Sequence, residues 1–372
     1  MKIVQLITKF DTLGGAQTHV LELSKMMAQN GHEVYILFSK GEEIFDLTEF
    51  KNIHCRQLEY LVHKIDLIQD FKSFIEMKRI LKEINPDILA LHSSKAGILG
   101  RLAASSLNIP TVFTAHGWSF TEGISPFKRK VFSQIEKRIA KKTDYIITVS
   151  HYDEKLAKVF KIEPRFELQT VHNGINDFYE ENIRSSDEIK VVMVARFQAP
   201  KRQDLLLHAF SKLPNSTSKI IFIGYGEKID EVMMLAKVLN LERRVEFLGA
   251  RKDVPRLLAD ANVFVLISEF EGLPISIIEA MASGIPVIAS DVGGVSELIK
   301  HGENGFIVNN DELEISKYLK LLTENHKLRR EMGEKAREFY LENFQFKKTY
   351  WETLSIYENV IEKRGEEIDF SI

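Results

Sequence analysis

The segment from Ser268 to Gly294, S-E-F-E-G-L-P-I-S-I-I-E-A-M-A-S-G-I-P-V-I-A-S-D-V-G-G, leaves the chain around it little freedom. It follows Val263-Phe264-Val265-Leu266-Ile267, an unbroken apolar run with the length and composition of a strand buried on both faces, as in a parallel sheet. The apolar spacing then becomes helical. Ile277, Ile278 and Met281 form a stripe, while Ser276 and Glu279, three residues apart, share another face. Pro274 suits a first helical position and Gly284 with Pro286 suits an end, so the spacing predicts strand, tight loop and a helix from Pro274 to Ser283.

The first-turn N–H groups of Ile275 and Ser276 have no intrahelical partner and can receive an anion or a hydroxyl. Glu279 lies about 7.5 Å farther along the axis, at about 1.5 Å per residue, and its side chain leans back toward the helix start. Glu271 sits in the loop just before. Carboxylates only accept hydrogen bonds, so this pair fits hydroxyls, such as a ribose diol or the ring hydroxyls of a sugar. Phosphate there would require cations from elsewhere, since two like charges about 4 Å apart repel by about 4 kcal/mol at an effective dielectric near 20. Taken singly, Glu271 also reads as a solvated loop residue and Glu279 as an ordinary helix-surface residue.

Glu271 and Glu279 with seven residues between them, Gly272 and Pro274 inside that interval, and Ala280-Met281-Ala282, Gly284 and Pro286-Val287 after it resemble a known signature. It is that of the retaining, two-Rossmann-domain (GT-B) glycosyltransferases, glycosyl transferases group 1 or family 4. The resemblance extends over nearly the whole chain. It implies an α/β fold of two Rossmann-like domains facing across a cleft, with a C-terminal helix crossing back to the N-terminal domain. The expected division is 1–175 for acceptor binding, a linker at 176–188 where the chain turns polar, 189–345 for the nucleotide-sugar, and 346–372 for the crossing helix.

With 372 residues the chain exceeds one comfortable domain and fits two. A net charge of −3 implies no whole-molecule attraction to nucleic acid. A single cysteine, Cys55, excludes an internal disulfide and suits a reducing cytosol. Met1-Lys2 leads straight into Ile3–Ile7, too short and mixed for a secretory signal, and no apolar run approaches the about 18 residues needed to span a bilayer. The expected location is cytoplasmic, with any membrane contact peripheral.

In the first half, a strand over Ile3–Thr8, the glycines Gly14-Gly15, a helix and a strand over Val34–Phe38 make a β-α-β unit. The glycines mark either a tight turn or a close approach to a ligand, and the resemblance places Gly15 against the donor's phosphates. A helix over Phe71–Ile84 and a strand over Ile88–Leu91 lead to His92-Ser93-Ser94-Lys95, which puts Ser94 and Lys95 at a strand's carboxyl end, where open α/β sheets bind ligands. This segment resembles bacterial polysaccharide-assembly transferases, whose acceptors often carry a diphosphate. Lys95 and Arg101 are candidates for that anion, against solvated lysine and structural arginine. His116 follows the strand Thr111–Thr114, and Gly117 lets the chain turn behind it. A lone histidine there reads as a structural residue or as a catalyst; by resemblance it contacts the transferred sugar.

Lys128, Arg129, Lys130, Lys137, Arg138, Lys141 and Lys142 crowd a helical stretch opposed only by Glu136, beside Phe127, Val131, Phe132 and Ile139. That is either a solvated face or a surface, over 127–142, for anionic lipid heads. His172-Asn173-Gly174-Ile175 resembles the exit from the first domain.

In the second half, the strand Ile189–Ala195 ends at Arg196, with Lys201 shortly after. Arg196 offers a planar fork for phosphate oxygens and Lys201 a point charge, the cations that a diphosphate between two glutamates requires. Each alone also reads as a solvated loop cation, and their spacing resembles that of the arginine and lysine by which this family holds the diphosphate. Gly224-Tyr225-Gly226 opens a dinucleotide fingerprint whose third glycine position is Ile229, which argues against a nicotinamide site.

The expected function is therefore retaining transfer of a hexose or N-acetylhexosamine from a nucleotide-sugar, by resemblance a UDP-sugar, to a lipid-linked or saccharide acceptor. Glu279 takes the ribose, Arg196 and Lys201 the diphosphate, and Glu271 with Gly272-Leu273-Pro274-Ile275 the sugar. No Asp-X-Asp pair occurs, so transfer is expected to need no metal and no cofactor, with cations and helix dipoles stabilising the leaving group. A sugar-nucleotide epimerase or hydrolase, or a non-catalytic nucleotide-sugar-binding subunit, stands as the alternative.

Overall fold

The computed structural model describes residues 1–10, 14–41, 47, 49–179, 188–214 and 218–369. The chain divides into two compact units, Met1–His172 with Thr349–Ile372, and Asn173–Lys348.

In the first unit, β1 (Lys2–Ile7), β2 (Glu33–Ser39), β3 (Ile53–Leu58), β4 (Ile88–His92), β5 (Thr111–Ala115), β6 (Tyr145–Thr148) and β7 (Glu167–Thr170) form a parallel sheet in the order β3-β2-β1-β4-β5-β6-β7. α1 (Gly15–Gln29) follows β1 and α2 (Leu67–Ile84) precedes β4, while α3 (Ser94–Ser105), α4 (Pro126–Ala140) and α5 (His151–Val159) follow β4, β5 and β6. Every residue of β4 and β5 is buried, as a central strand covered by helices on both faces requires. Val4, Leu6, Leu89, Leu91, Phe113 and Ile146 from the sheet join Met77, Ile80 and Leu81 of α2 in one core. The edge strand β3 exposes His54, Cys55 and Gln57, polar or weakly apolar positions that keep an open edge from pairing with other chains. Asp66 caps α2 by accepting from the N–H groups of Ile68 and Gln69, each at 3.0 Å, which starts this helix four residues before the expected Phe71.

The second unit repeats the plan. β8 (Ile189–Val194), β9 (Ser218–Ile223), β10 (Val245–Phe247), β11 (Val263–Leu266), β12 (Val287–Ser290) and β13 (Gly305–Val308) form a parallel sheet in the order β10-β9-β8-β11-β12-β13. Its helices are α6 (Gln203–Ser211), α7 (Ile229–Val238), α8 (Val254–Ala259), α9 (Ile275–Ala282), α10 (Val295–Leu298), α11 (Glu312–Glu324) and α12 (His326–Asn343). α13 (Phe346–Asp369) follows, and its residues from Thr349 onward belong to the first unit. There Thr349 donates to the His172 carbonyl and Arg364 reaches Asp144 and Asn108.

The boundary falls between His172 and Asn173. Asp177, expected in a linker, instead belongs to the second unit and accepts both guanidinium nitrogens of Arg337 at 2.7 and 2.6 Å, a bidentate pair that anchors the segment. Residues 180–187 of the expected linker lie outside those described.

In both sheets the chain reverses its direction of winding beside the first strand. β1 stands between β2 and β4, and β8 between β9 and β11. The loops at these points diverge to opposite faces, which opens a crevice beyond the carboxyl ends. No helix among the described residues is long and apolar enough to cross a membrane.

Candidate functional site

In the second unit the loops after β8 and β11 are joined by their backbones. Arg202 N–H donates to the Ile267 carbonyl at 3.0 Å, Glu269 N–H to the Pro200 carbonyl at 3.0 Å, and Lys201 pairs with Ser268 in a short antiparallel bridge. Ser268 is held from beneath. Its N–H donates to Ser290 Oγ, Ser290 Oγ to Asn310 Oδ1, and Asn310 Nδ2 back to the Ser268 carbonyl, at 2.9, 2.6 and 2.9 Å. Such a closed ring leaves no buried polar atom wanting and locks the strand end.

Two close backbone approaches complete the frame. Gly294 N–H donates to the Gly272 carbonyl at 2.9 Å, and Gly293, at φ +55°, has its Cα so near the Glu271 carbonyl that a Cβ there would overlap it. Gly224 and Gly226, at φ +145° and +154°, press likewise on the carbonyls of Ala195 and Phe197. The paired glycines thus serve the packing of the loop that carries Arg196, a reason independent of any dinucleotide.

Within this frame Lys201 Nζ donates to Glu271 Oε1, and both side chains are largely buried. Arg196, at the end of β8, is exposed and forms no ion pair among the described residues, while its carbonyl accepts from Gln203 Nε2 at 3.0 Å. Leu273 is buried and Pro274 is the N-cap of α9, at φ −71° and ψ 112°, so the helix begins one residue later than expected and its first N–H groups are those of Ile275 and Ser276. Glu279 lies on the second turn without a cation in reach among the described residues, and burial pushes its carboxyl up to about 7.

In the first unit Gly15 opens α1 behind Gly14. Ser93, before α3, takes φ +72° and ψ 149°, a strained backbone for a residue with a side chain. Thr8 holds it, with its N–H on Ser93 Oγ at 3.1 Å and its hydroxyl 2.7 Å from the same oxygen. Ser94 begins α3, and Lys95 forms an ion pair with Asp70 at 2.6 Å and donates to the Lys64 carbonyl.

Arg101 requires correction. It is fully buried; Nε donates to the Gly97 carbonyl at 2.9 Å, and the two terminal nitrogens donate to the two oxygens of Glu136 at 2.5 and 3.0 Å. Its guanidinium also stacks on Phe113, 4.2 Å from the ring centre. A cation so enclosed ties α3 to α4 and leaves no donor for an acceptor's anion. The same pairing turns Glu136 inward, so the outer face of α4 keeps exposed Lys128, Lys130 and Arg138 beside exposed Phe127, Val131 and Ile135, while Phe132 packs on the core.

His116, just past β5, does not stand alone. His92 Nδ1 lies 3.0 Å from His116 Nε2, and His92 Nε2 lies 2.7 Å from Gln5 Oε1. His19 of α1 places its ring edge-on to His116 at 4.9 Å, and the three imidazoles bring ring nitrogens within 4.8 Å of one another. Both nitrogens of His92 are already engaged by Gln5 and His116. Burial, and then the neighbouring imidazoles, hold His92 and His116 well below the usual histidine range, so both are neutral. The sequence sign of this cluster is Gln5, a polar residue inside the apolar strand Ile-Val-Gln-Leu-Ile.

Comparison with known proteins bears on both units. Residues 13–177 match the family described as Glycosyltransferase Family 4, and residues 175–339 that described as Glycosyl transferases group 1. The O-antigen biosynthesis glycosyltransferase WbnH of Escherichia coli is 30% identical over 92% of this chain and 97% of that protein. The N-acetyl-alpha-D-glucosaminyl L-malate synthase of Bacillus anthracis is 29% identical over 97% of this chain and 98% of that protein. Among solved structures, sucrose-phosphate synthase from Thermosynechococcus elongatus superposes with a TM-score of 0.86 at 20% identity, covering 98% of this chain and 100% of that one. Anabaena HepE in complex with UDP and glucose gives 0.82 at 21% identity, covering 96% and 99%.

Proposed function

Because the chain belongs to the glycosyl transferases of group 1, we propose that it moves a hexose or N-acetylhexosamine from a UDP-sugar to a lipid-linked or saccharide acceptor in surface polysaccharide or glycan assembly. The observation that carries this reading is the Lys201–Glu271 pair, which joins two strand-end loops at the point where the second sheet reverses its winding. WbnH is named for O-antigen biosynthesis, and HepE was solved with UDP and glucose, which support the acceptor and donor classes respectively.

In this reading Glu279 accepts from the ribose hydroxyls, and Arg196 and Lys201 take the diphosphate. Glu271 and the Gly272-Leu273-Pro274-Ile275 backbone hold the sugar, and Gly15 adjoins the phosphates. Lys201 already neutralises Glu271 before the donor arrives, so a hydroxyl-binding carboxylate can sit next to a diphosphate without the repulsion that two bare anions would cost. As the glycosidic bond to the diphosphate breaks, negative charge grows on the leaving oxygen, where Arg196, Lys201 and the open first turn of α9 stabilise it without a metal. Attack then comes on the face the diphosphate leaves, and configuration is retained. Ser94 and Lys95 face the acceptor, Lys95 exchanging Asp70 for the acceptor's anion. The 1–175 portion serves the acceptor, the 189–345 portion the donor, and the helix from 346 braces the acceptor side. The basic and apolar outer face of α4 rests on the anionic inner leaflet and keeps the enzyme beside a lipid-linked acceptor, peripheral and cytoplasmic.

The test is incubation of the protein with a panel of UDP-sugars and lipid-diphosphate-linked sugars, following label into the lipid fraction and reading the new anomeric configuration by NMR. Label appearing only as free sugar or epimerised nucleotide would displace transfer in favour of hydrolysis or epimerisation.

A further inference from the structure

We infer that Gln5 and His92 act as positioning residues that fix which nitrogen of His116 carries its proton, so that His116 meets its ligand only as a hydrogen-bond acceptor and therefore selects a hydroxyl. The arrangement follows from strand order. β1, β4 and β5 lie side by side, which brings Gln5, the last residue of β4 and the residue after β5 into one row.

The buried Gln5 amide decides the direction of the row. Its Nε2 lies 3.5 Å from Met27 Sδ, a thioether that has lone pairs and no proton, so nitrogen rather than oxygen belongs on that side. Oε1 then faces His92 and, having no proton to give, must accept from His92 Nε2–H at 2.7 Å. A neutral His92 has spent its one proton there, so its Nδ1 is bare and accepts from His116 Nε2–H at 3.0 Å. His116, also neutral, is left with a bare Nδ1, a buried atom for which no hydrogen-bond partner exists among the described residues. The groups facing this row are His19 from α1, edge-on to His116 at 4.9 Å, and Tyr357 from α13, which lies beside the Gln5 amide.

A bare imidazole nitrogen gains nothing from a phosphate oxygen, a carboxylate or a ring ether, all of which lack a proton to donate. A hydroxyl satisfies it. A Cβ added to Gly117 would meet nothing within 4 Å, so the chain borders open space one residue past His116. Placing this hydroxyl on the sugar that is transferred rests on the proposed function; the proton assignment does not.

Two measurements on the full chain test the inference. Long-range ¹H–¹⁵N spectra of the imidazoles, assigned with His116→Ala, should show His116 protonated at Nε2 and bare at Nδ1 from pH 6 to 8; a proton on Nδ1, or a cationic ring, overturns it. In His92→Asn the amide Oδ1 takes the place of Nδ1 and still accepts, so kcat should stay within about threefold of the parent, whereas His92→Leu should lower kcat about tenfold or more with UDP binding unchanged. Equal loss in both variants means that His92 merely fills space, and refutes the positioning role. Should His92→Leu fail to fold, the Asn variant and the spectra still decide. Should no sugar transfer be found at all, the proposed function falls while the spectra judge the proton assignment by themselves.

Discussion

Replacing Glu279 by Gln should make the second unit more stable at pH 8 while weakening its hold on UDP. The carboxyl ionises at about 7 in the folded chain, raised by burial from an ordinary 4.5. Below pH 4.5 folded and unfolded chains both keep the proton, and Glu279 costs nothing. From 4.5 to 7 the unfolded chain releases it first, so stability falls with rising pH; above 7 the full cost stands. At complete burial that cost is about 3 kcal/mol, and since part of the side chain meets solvent, screening leaves about 1–3 kcal/mol. The Gln variant escapes it. Its melting temperature should exceed the parent's by about 2–10 °C at pH 8, at about 2–4 °C per kcal/mol for a unit of this size, with the gap shrinking toward pH 5. Titration calorimetry should show the opposite sign for ligand. An ionised acceptor on ribose hydroxyls is worth about 1.5–3 kcal/mol per bond, so UDP should bind at least about tenfold more weakly. Parent affinity should also rise with pH through 7, because ligand hydroxyls favour the ionised form, and this dependence should vanish in the variant. A variant no more stable at pH 8 than at pH 5 relative to the parent, or one that binds UDP equally well, refutes the reasoning.

Glu271→Gln and Lys201→Ala should each reduce initial rates by about 10²-fold or more, with the double variant no worse than the poorer single one, because the two groups act as a unit; additive losses would separate them. Arg101→Leu alone should cost the first unit about 3–5 kcal/mol in denaturant unfolding by stranding Glu136, and Arg101→Leu with Glu136→Leu should recover most of it. Transfer rates in the folded double variant should equal the parent's, and a selective loss of acceptor use would restore a binding role to Arg101. Replacing Phe127 and Val131 by Ser should abolish sedimentation with anionic vesicles while leaving turnover of a water-soluble acceptor intact; unchanged sedimentation would place the membrane contact elsewhere.

Much of the architecture could be read from local pattern. Apolar runs such as Val263–Ile267 and Ile88–Leu91 are central strands because a strand covered on both faces must be apolar at every position. The edge strand β3 escaped this reading, since only Ile53 and Leu58 of its six residues are buried and His-Cys-Arg-Gln between them carries no strand signal. The start of α2 shifted by one turn because its cap, Asp66, acts through a side chain that hydropathy does not register. Around the candidate site, Glu271 and Glu279 stood out through their placement about a helix start, and Arg196 and Lys201 through a strand end and the family resemblance. Gln5, Ser290 and Asn310 did not, since nothing in the residues around them tells which polar partner the fold will set against each.

What the amino-acid order determined by itself, then, was most of the succession of strands and helices, because that follows from periodicities spanning a few residues, while their division between two facing domains was expected only through the family resemblance. Partnership was decided by the tertiary structure alone. Lys201 and Arg101 look alike as cations shortly after a strand, yet strand order sets one beside Glu271, seventy residues away, at a loop that can open to a ligand. The other is enclosed against Glu136, thirty-five residues away, where no ligand can come. Likewise only the adjacency of β1, β4 and β5 makes one row of Gln5, His92 and His116. A charge or a proton takes its role from whatever stands within about 3 Å of it, and that distance is set by how the sheet is assembled rather than by position along the chain.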